Sequence, residues 1–215
     1  MAASTTALSG DTSNAARTRA RLITKPLLMP TLTAAMLTDP RAGVSPLTRT
    51  AVIAQCGGWV GDVALMFPGT RPFLAGAGAF GVGHAAYASG FTRLGAPTPV
   101  RRSTSGRLAA TAWTVGGPAL GVAAGRRSPV LGAAVAGYAG LLSYTLARAG
   151  NLDSAQPLSA RRLILAGSIA FAASDSLLGA RNFVITQERP ALHQAVMASY
   201  TAAQWLLMQG ALRTR

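Results

Sequence analysis

The chain has 215 residues, with 20 Lys and Arg against 6 Asp and Glu, a formal net charge of +14, yet only 12% of its residues are charged. An ordinary soluble domain carries roughly 25%, and half of this chain is hydrophobic, which excludes a charge-rich disordered polypeptide. Nor do the bases form the dense patch among other charges that marks a nucleic-acid binder, so no nucleic-acid partner is expected.

Residues 1–20 are small and polar and read as a disordered tail without the apolar stretch of a signal peptide. Beyond them, arginines fence long apolar windows. There are 21 uncharged residues between Arg71 and Arg93, 18 between Arg107 and Arg126, 20 between Arg127 and Arg148, and 23 between Arg189 and Arg213. Two further windows, Arg49–Arg71 and Arg162–Arg181, each hold one acid, Asp62 and Asp175. About 20 mostly apolar residues cross about 30 Å of hydrocarbon, and none of these windows offers water a polar face.

The predicted helices are 24–38, 48–67, 72–92, 107–124, 129–148, 160–180 and 191–212. The first is short, with 13 uncharged residues between Lys25 and Asp39. Pro46, Pro72, Pro129 and Pro190 stand near helix starts, where the missing N–H costs little. The expected fold is an all-α, polytopic transmembrane helical bundle of about seven helices, a single domain over residues 21–215. Because lipid gives helices no hydrophobic reason to associate, small residues allow close contact. Gly57-x-x-x-Gly61 and Gly117-x-x-x-Gly121 are candidates.

Nine bases fall on the N-terminal side and eleven on the other, so the positive-inside rule gives no orientation. The lone Cys56 excludes an intrachain disulfide and a cysteine metal cluster, and is expected to pack as a small apolar residue inside a helix.

Ionisable groups inside spans are costly and mark function by default. Here they are Lys25, Asp62, His84, Asp175 and His193. By helical spacing, Gln55 and Gly58 share a face with Asp62; Phe80, Tyr87 and Phe91 with His84; Ser168, Phe171 and Asn182 with Asp175. His193, Met197, Tyr200 and Gln204 line one face of the last helix. Four helices that each turn a polar cluster one way are expected to converge on one cavity. Asp62 and Asp175 are the only two acids inside spans.

These residues also carry a resemblance. Lys25-Pro26-Leu27-Leu28-Met29-Pro30, Gly61-Asp62, Phe80-x-x-x-His84-x-x-Tyr87, Ser174-Asp175-Ser176-Leu177-Leu178 with Asn182-Phe183, and Tyr200-x-x-Ala203-Gln204 occur in order over residues 25–210. In this the chain resembles the YhhN family of integral membrane proteins, whose characterised members are lysoplasmalogenases. Family members usually have about eight spans, one of them before the Lys-Pro motif, where this chain has its polar tail.

The resemblance implies hydrolysis of the vinyl ether bond of lysoplasmalogens, giving a fatty aldehyde and a glycerophospho-ethanolamine or -choline. Such a bond is cleaved by protonating its β-carbon, which calls for one protonated acid and one negative group. Two carboxyl groups in a low-dielectric site cannot both ionise cheaply, so Asp62 and Asp175 suit this division of labour. Which is the acid stays open here. His84 and Tyr87 would orient water or the acid. Lys25 would meet the lipid phosphate, and Asn182, Tyr200 and Gln204 complete the expected substrate site.

No cofactor and no metal are implied, since two histidines without closely spaced partners make a poor zinc site. The partners implied are the bilayer and a lysophospholipid, with a homo-oligomer also open. The expected location is multi-pass in a bacterial plasma membrane. The alternatives are another lysolipid hydrolase, or a non-enzymatic small transporter or lipid-binding membrane protein.

Overall fold

A computed structural model describes residues 25–185, 187 and 190–215; the tail expected over 1–20 lies outside the described residues. The fold is all-α. Its helices are α1 (25–37), α2 (Thr48–Ala64), α3 (Thr70–Arg93), α4 (Thr104–Gly125), α5 (Pro129–Ala149), α6 (Leu158–Phe183) and α7 (Pro190–Ala211), with 3-10 turns at Pro40–Gly43 and Val100–Arg102. Each predicted helix is present. α6 runs three residues further than predicted and α2 stops three residues earlier.

Local chemistry sets the ends. Pro129 is the first residue of α5, where its fixed φ is already helical. Ser103 caps α4 by accepting a hydrogen bond from the Gly106 N–H at 3.0 Å. Gly69, at φ 113°, reverses the chain between α2 and α3 in a conformation that L side chains rarely adopt.

Consecutive helices pair as hairpins, α2 with α3, α4 with α5 and α6 with α7; α3 also packs on α5, α5 on α6, and α2 reaches α7. Helices α2, α3, α5, α6 and α7 therefore close a ring, and α4 rides outside α5. Helix α1 lies against the ring. Its Met29, Leu32 and Met36 are buried, and Thr33 donates to Oε1 of Gln55 on α2 at 2.8 Å.

Glycine sets how close the hairpins come. A Cβ on Gly57 would sit 2.6 Å from the Ala79 carbonyl oxygen, and one on Gly83 would sit 3.0 Å from that of Ala54, so α2 and α3 touch backbone to backbone. Gly121 with Gly132, and Gly167 with Gly210, mark comparably close approaches in the other two hairpins.

The outer faces are apolar: Ile53, Val60, Val82, Val115, Ile169 and Trp205 are all exposed. α5 and α6 are long and apolar enough to cross a membrane, and only 28% of each apolar window is buried, the reverse of a soluble core helix. The other described helices do not meet that measure, which departs from the six full windows expected. The reason is composition and length: α3 and α4 are rich in Ala and Gly, and α2 has 17 residues. Cys56 also departs from expectation, since it is exposed on the outside of α2 instead of packed between helices.

One end of the bundle is tied by hydrogen bonds. Ser45 Oγ donates to the Ala211 carbonyl at 2.6 Å, Asn151 Nδ2 to the Thr98 carbonyl at 3.1 Å, and the Asp153 N–H to the Leu94 carbonyl at 2.9 Å. The opposite end, where α1 begins and α2 and α6 finish, surrounds a cavity.

Candidate active site between α2, α5, α6 and α7

Asp62 lies in the last turn of α2 and is buried. Small residues beside it make room for α3 and α7. A Cβ on Gly58 would be 3.1 Å from the Tyr200 hydroxyl, and one on Gly61 would be 2.5 Å from the Phe80 ring. The Tyr200 hydroxyl donates to Asp62 Oδ2 at 2.8 Å, and Gln204 Nε2 approaches that hydroxyl at 3.5 Å. Lys25 Nζ stands 3.7 Å from Asp62 Oδ1. The carboxyl thus faces a cation on one oxygen and a phenol on the other.

Asp175 lies on α6 and receives a different partner. The Tyr138 hydroxyl of α5 donates to its Oδ2, and among the described residues Asp175 has no ion pair. Its neighbour Ser174 donates to the Val196 carbonyl at 3.0 Å, which ties α6 to α7 beside the site. Phe80, Phe171 and Tyr200 meet edge to face, with centroids 5.5 to 6.3 Å apart. Such a cluster is rigid and excludes water from one wall.

Both carboxyl groups face a cavity of about 420 Å³, which Lys25, Asn182 and Tyr200 also line. A second chamber of about 80 Å³ opens between α3, α4, α5 and α6 and is lined almost wholly by apolar residues, among them Phe73, Leu120, Val135 and Leu142. Asp175 lines both spaces, whereas Asp62 lines only the larger one.

Of the residues expected at the site, Lys25, Asp62, Asp175, Asn182 and Tyr200 come together at this cavity, and Gln204 backs Tyr200. His84 and Tyr87 line neither space. The His84 ring is buried edge-on to Phe171 at 4.6 Å and to Tyr138 at 5.7 Å, and Tyr87 stacks on Phe91 at 5.6 Å. The His84 ring nitrogens and the Tyr87 hydroxyl have no hydrogen-bond partner among the described residues. His193 does line the cavity, where its Nδ1 accepts from Arg181 Nη1 at 2.7 Å.

Three residues of the site escaped the sequence reading: Tyr138, Arg127 and Arg181. A tyrosine in the middle of an apolar window was a usable signal for Tyr138, as it was for Tyr200. The two arginines read as window boundaries, and only the fold brings them to one cavity. Among the described residues no three His, Cys, Asp or Glu side chains gather as a metal-binding group.

Comparison with known proteins finds no match among curated proteins or solved structures. A family model does match, that of the YhhN family, over residues 20–211. That span takes in every helix described above and both carboxyl-bearing motifs, so the chain belongs to the YhhN family.

Proposed function

We propose that this protein is a multi-pass membrane hydrolase of the lysoplasmalogenase type, which cleaves the vinyl ether of a single-chain lipid with Asp175 as acid and Asp62 as base. The observation that carries this reading is the position of Asp175 at the junction of a polar cavity and an apolar chamber. An alkenyl lipid has the same junction: its chain is apolar, its glycerol end polar, and the scissile bond lies between them.

In this reading the two acids divide the roles by position. The carbon to be protonated is on the chain side of the ether, so the acid must reach the apolar chamber, and Asp175 does. The Asp175 carboxyl group donates its proton to the β-carbon and becomes a carboxylate, leaving an oxocarbenium ion. Asp62, held as a carboxylate by Lys25, faces this cation from the polar side. Water adds to the α-carbon as Asp62 takes its proton. The hemiacetal then collapses: its hydroxyl proton returns to Asp175, and Asp62 delivers a proton to the departing glycerol oxygen. One water is consumed, both groups regain their starting state, and aldehyde and alcohol are released.

Tyr200 and Tyr138 hold one carboxyl each. His84 supports Tyr138 from behind and acts as a positioning residue. The exposed apolar faces of the ring helices belong in lipid, which lets a substrate reach the cavity from the bilayer.

The test uses purified protein in detergent with a lysoplasmalogen. Aldehyde release is expected to fall about 10²–10⁴-fold in Asp175→Asn and in Asp62→Asn. In D2O the aldehyde, trapped by reduction, is expected to carry one deuterium on the carbon beside the carbonyl. Aldehyde without that label, or full turnover in both folded variants, rejects the mechanism.

A further inference from the structure

Among the described residues, the cavity is lined by more cationic side chains than carboxyl groups. Lys25, Arg127 and Arg181 line it against Asp62 and Asp175, and Lys25 is already paired with Asp62. Neither arginine has an ion pair among the described residues. A histidine and an aromatic ring hold them instead. Arg181 donates to His193 at 2.7 Å, and the Arg127 guanidinium lies 5.4 Å from the centroid of the Phe183 ring. Guanidinium groups carry five donors in a fixed fork, and these contacts leave most of those donors unused. Two such forks on one cavity wall, supplied by the α4–α5 turn and by the end of α6, suit a phosphate.

The spacing agrees with the proposed chemistry. Arg181 lies six residues beyond Asp175 on α6, about 9 Å along the helix axis and about 120° around it. In an alkenyl glycerophospholipid the protonated carbon and the phosphorus are separated by seven bonds, roughly 9 Å when extended. One helix therefore brings an acid and a phosphate anchor to the same cavity, with an axial rise comparable to the length of such a lipid's polar end.

We infer that Arg127 and Arg181 form an anion subsite that takes the phosphate of a single-chain glycerophospholipid and seats its head group in the polar cavity. The inference rests on the hydrolase reading above for the direction in which the lipid lies. It is tested separately from it, by binding.

The probes are 1-O-hexadecyl-lysophosphatidylethanolamine, a saturated ether with no vinyl bond to cleave, and 1-O-hexadecylglycerol, which lacks the phosphate. Equilibrium binding to the detergent-solubilised protein is expected to favour the phosphate probe at least about tenfold, the scale of a charge-assisted hydrogen bond. Arg127→Gln and Arg181→Gln should each weaken that preference, and the double variant should bring the two probes to within about twofold, since both forks are then gone. Arg→Lys replacements, which keep the charge, should restore part of it and show that the site still folds.

A preference that survives in the folded double variant, or is absent from the wild type, overturns the subsite. Inorganic phosphate at millimolar concentration should leave lipid binding unchanged. Displacement by it at micromolar concentration would assign the site to a soluble phosphate and overturn the lipid assignment. Absence of aldehyde from an alkenyl substrate, alongside a phosphate preference that the arginines control, would reject the hydrolase reading and leave the subsite standing.

Discussion

Replacing Lys25 by Met tests the charge arrangement at Asp62 directly. The side chains differ in exposure, 22% for Lys25 against 5% for Asp62, with 3.7 Å between the charged atoms. At that separation a pair near a protein surface interacts by about 4 kcal/mol, and breaking a buried pair from one side costs about 3–5 kcal/mol because a charge is left unbalanced. Tyr200 still donates to Asp62, and the carboxylate can take up a proton, so the net loss of stability in Lys25→Met is expected to be roughly 2–4 kcal/mol.

The reverse change is cheaper, because Lys25 can turn toward the interface when Asp62 becomes Asn. The double variant Lys25→Met/Asp62→Asn should therefore be more stable than Lys25→Met alone. Unfolding of the four proteins in mixed detergent, followed by circular dichroism, gives the coupling. A double variant no more stable than Lys25→Met would refute the claim that Asp62 relies on Lys25 for charge balance. Aldehyde release should drop in Lys25→Met as it should in Asp62→Asn, and the two losses should not add, because both remove the same carboxylate.

Three other outcomes follow from the packing and the turns. Tyr138→Phe removes the hydroxyl that orients Asp175, so kcat should fall about tenfold with KM nearly unchanged; an unchanged kcat would remove Tyr138 from the site. Gly57→Ala places a methyl 2.6 Å from the Ala79 carbonyl oxygen and should destabilise by about 1–3 kcal/mol, whereas Gly78→Ala, with nothing within 4 Å, should stabilise by up to about 1 kcal/mol. Equal effects of the two changes on unfolding would refute the role given to close helix contact.

In the turn after α1, the side-chain hydrogen bond from Arg41 holds the Asp39 carboxyl down to about 2. A lowered value means that the contact stabilises the turn above the ordinary carboxylate range near 4 and is lost as pH falls through about 2. Titration of the Asp39 carboxyl carbon by NMR checks this, and a midpoint at the ordinary value would reject it.

The first helix shows how much was legible before any coordinates. Lys25, Pro26 and a short apolar run mark a first element that is either a half-span or a span with a snorkelling lysine, and a helix is present over the described residues 25–37. Yet nothing in that stretch says that its lysine meets Asp62 or that Thr33 bonds Gln55. Tyr200 and Gln204 were readable as one face with polar purpose, and they lie behind and beside Asp62. His84 and Tyr87 show the same polar signal by sequence but sit behind the aromatic wall. Helical spacing fixes which residues share a face, while the depth of that face in the bundle depends on its neighbours.

By itself, the sequence determined the helical class, the number of helices and most of their limits, because these follow from short-range properties: apolar runs, flanking arginines, prolines and caps. It also exposed the two acids, since an acid in an apolar window is costly enough to stand out. Only the tertiary structure decided that α2 meets α7 and α5 meets α6, that Asp62 is paired with a lysine while Asp175 is held by a phenol, and that two boundary arginines share their cavity. The physical reason is that a helix such as α6, whose polar and apolar residues are spread almost evenly around its axis, has too little sidedness of its own to fix its rotation. Which face turns inward is set by where glycines on the partner helices let backbones touch, and that is a property of pairs of helices far apart in the chain.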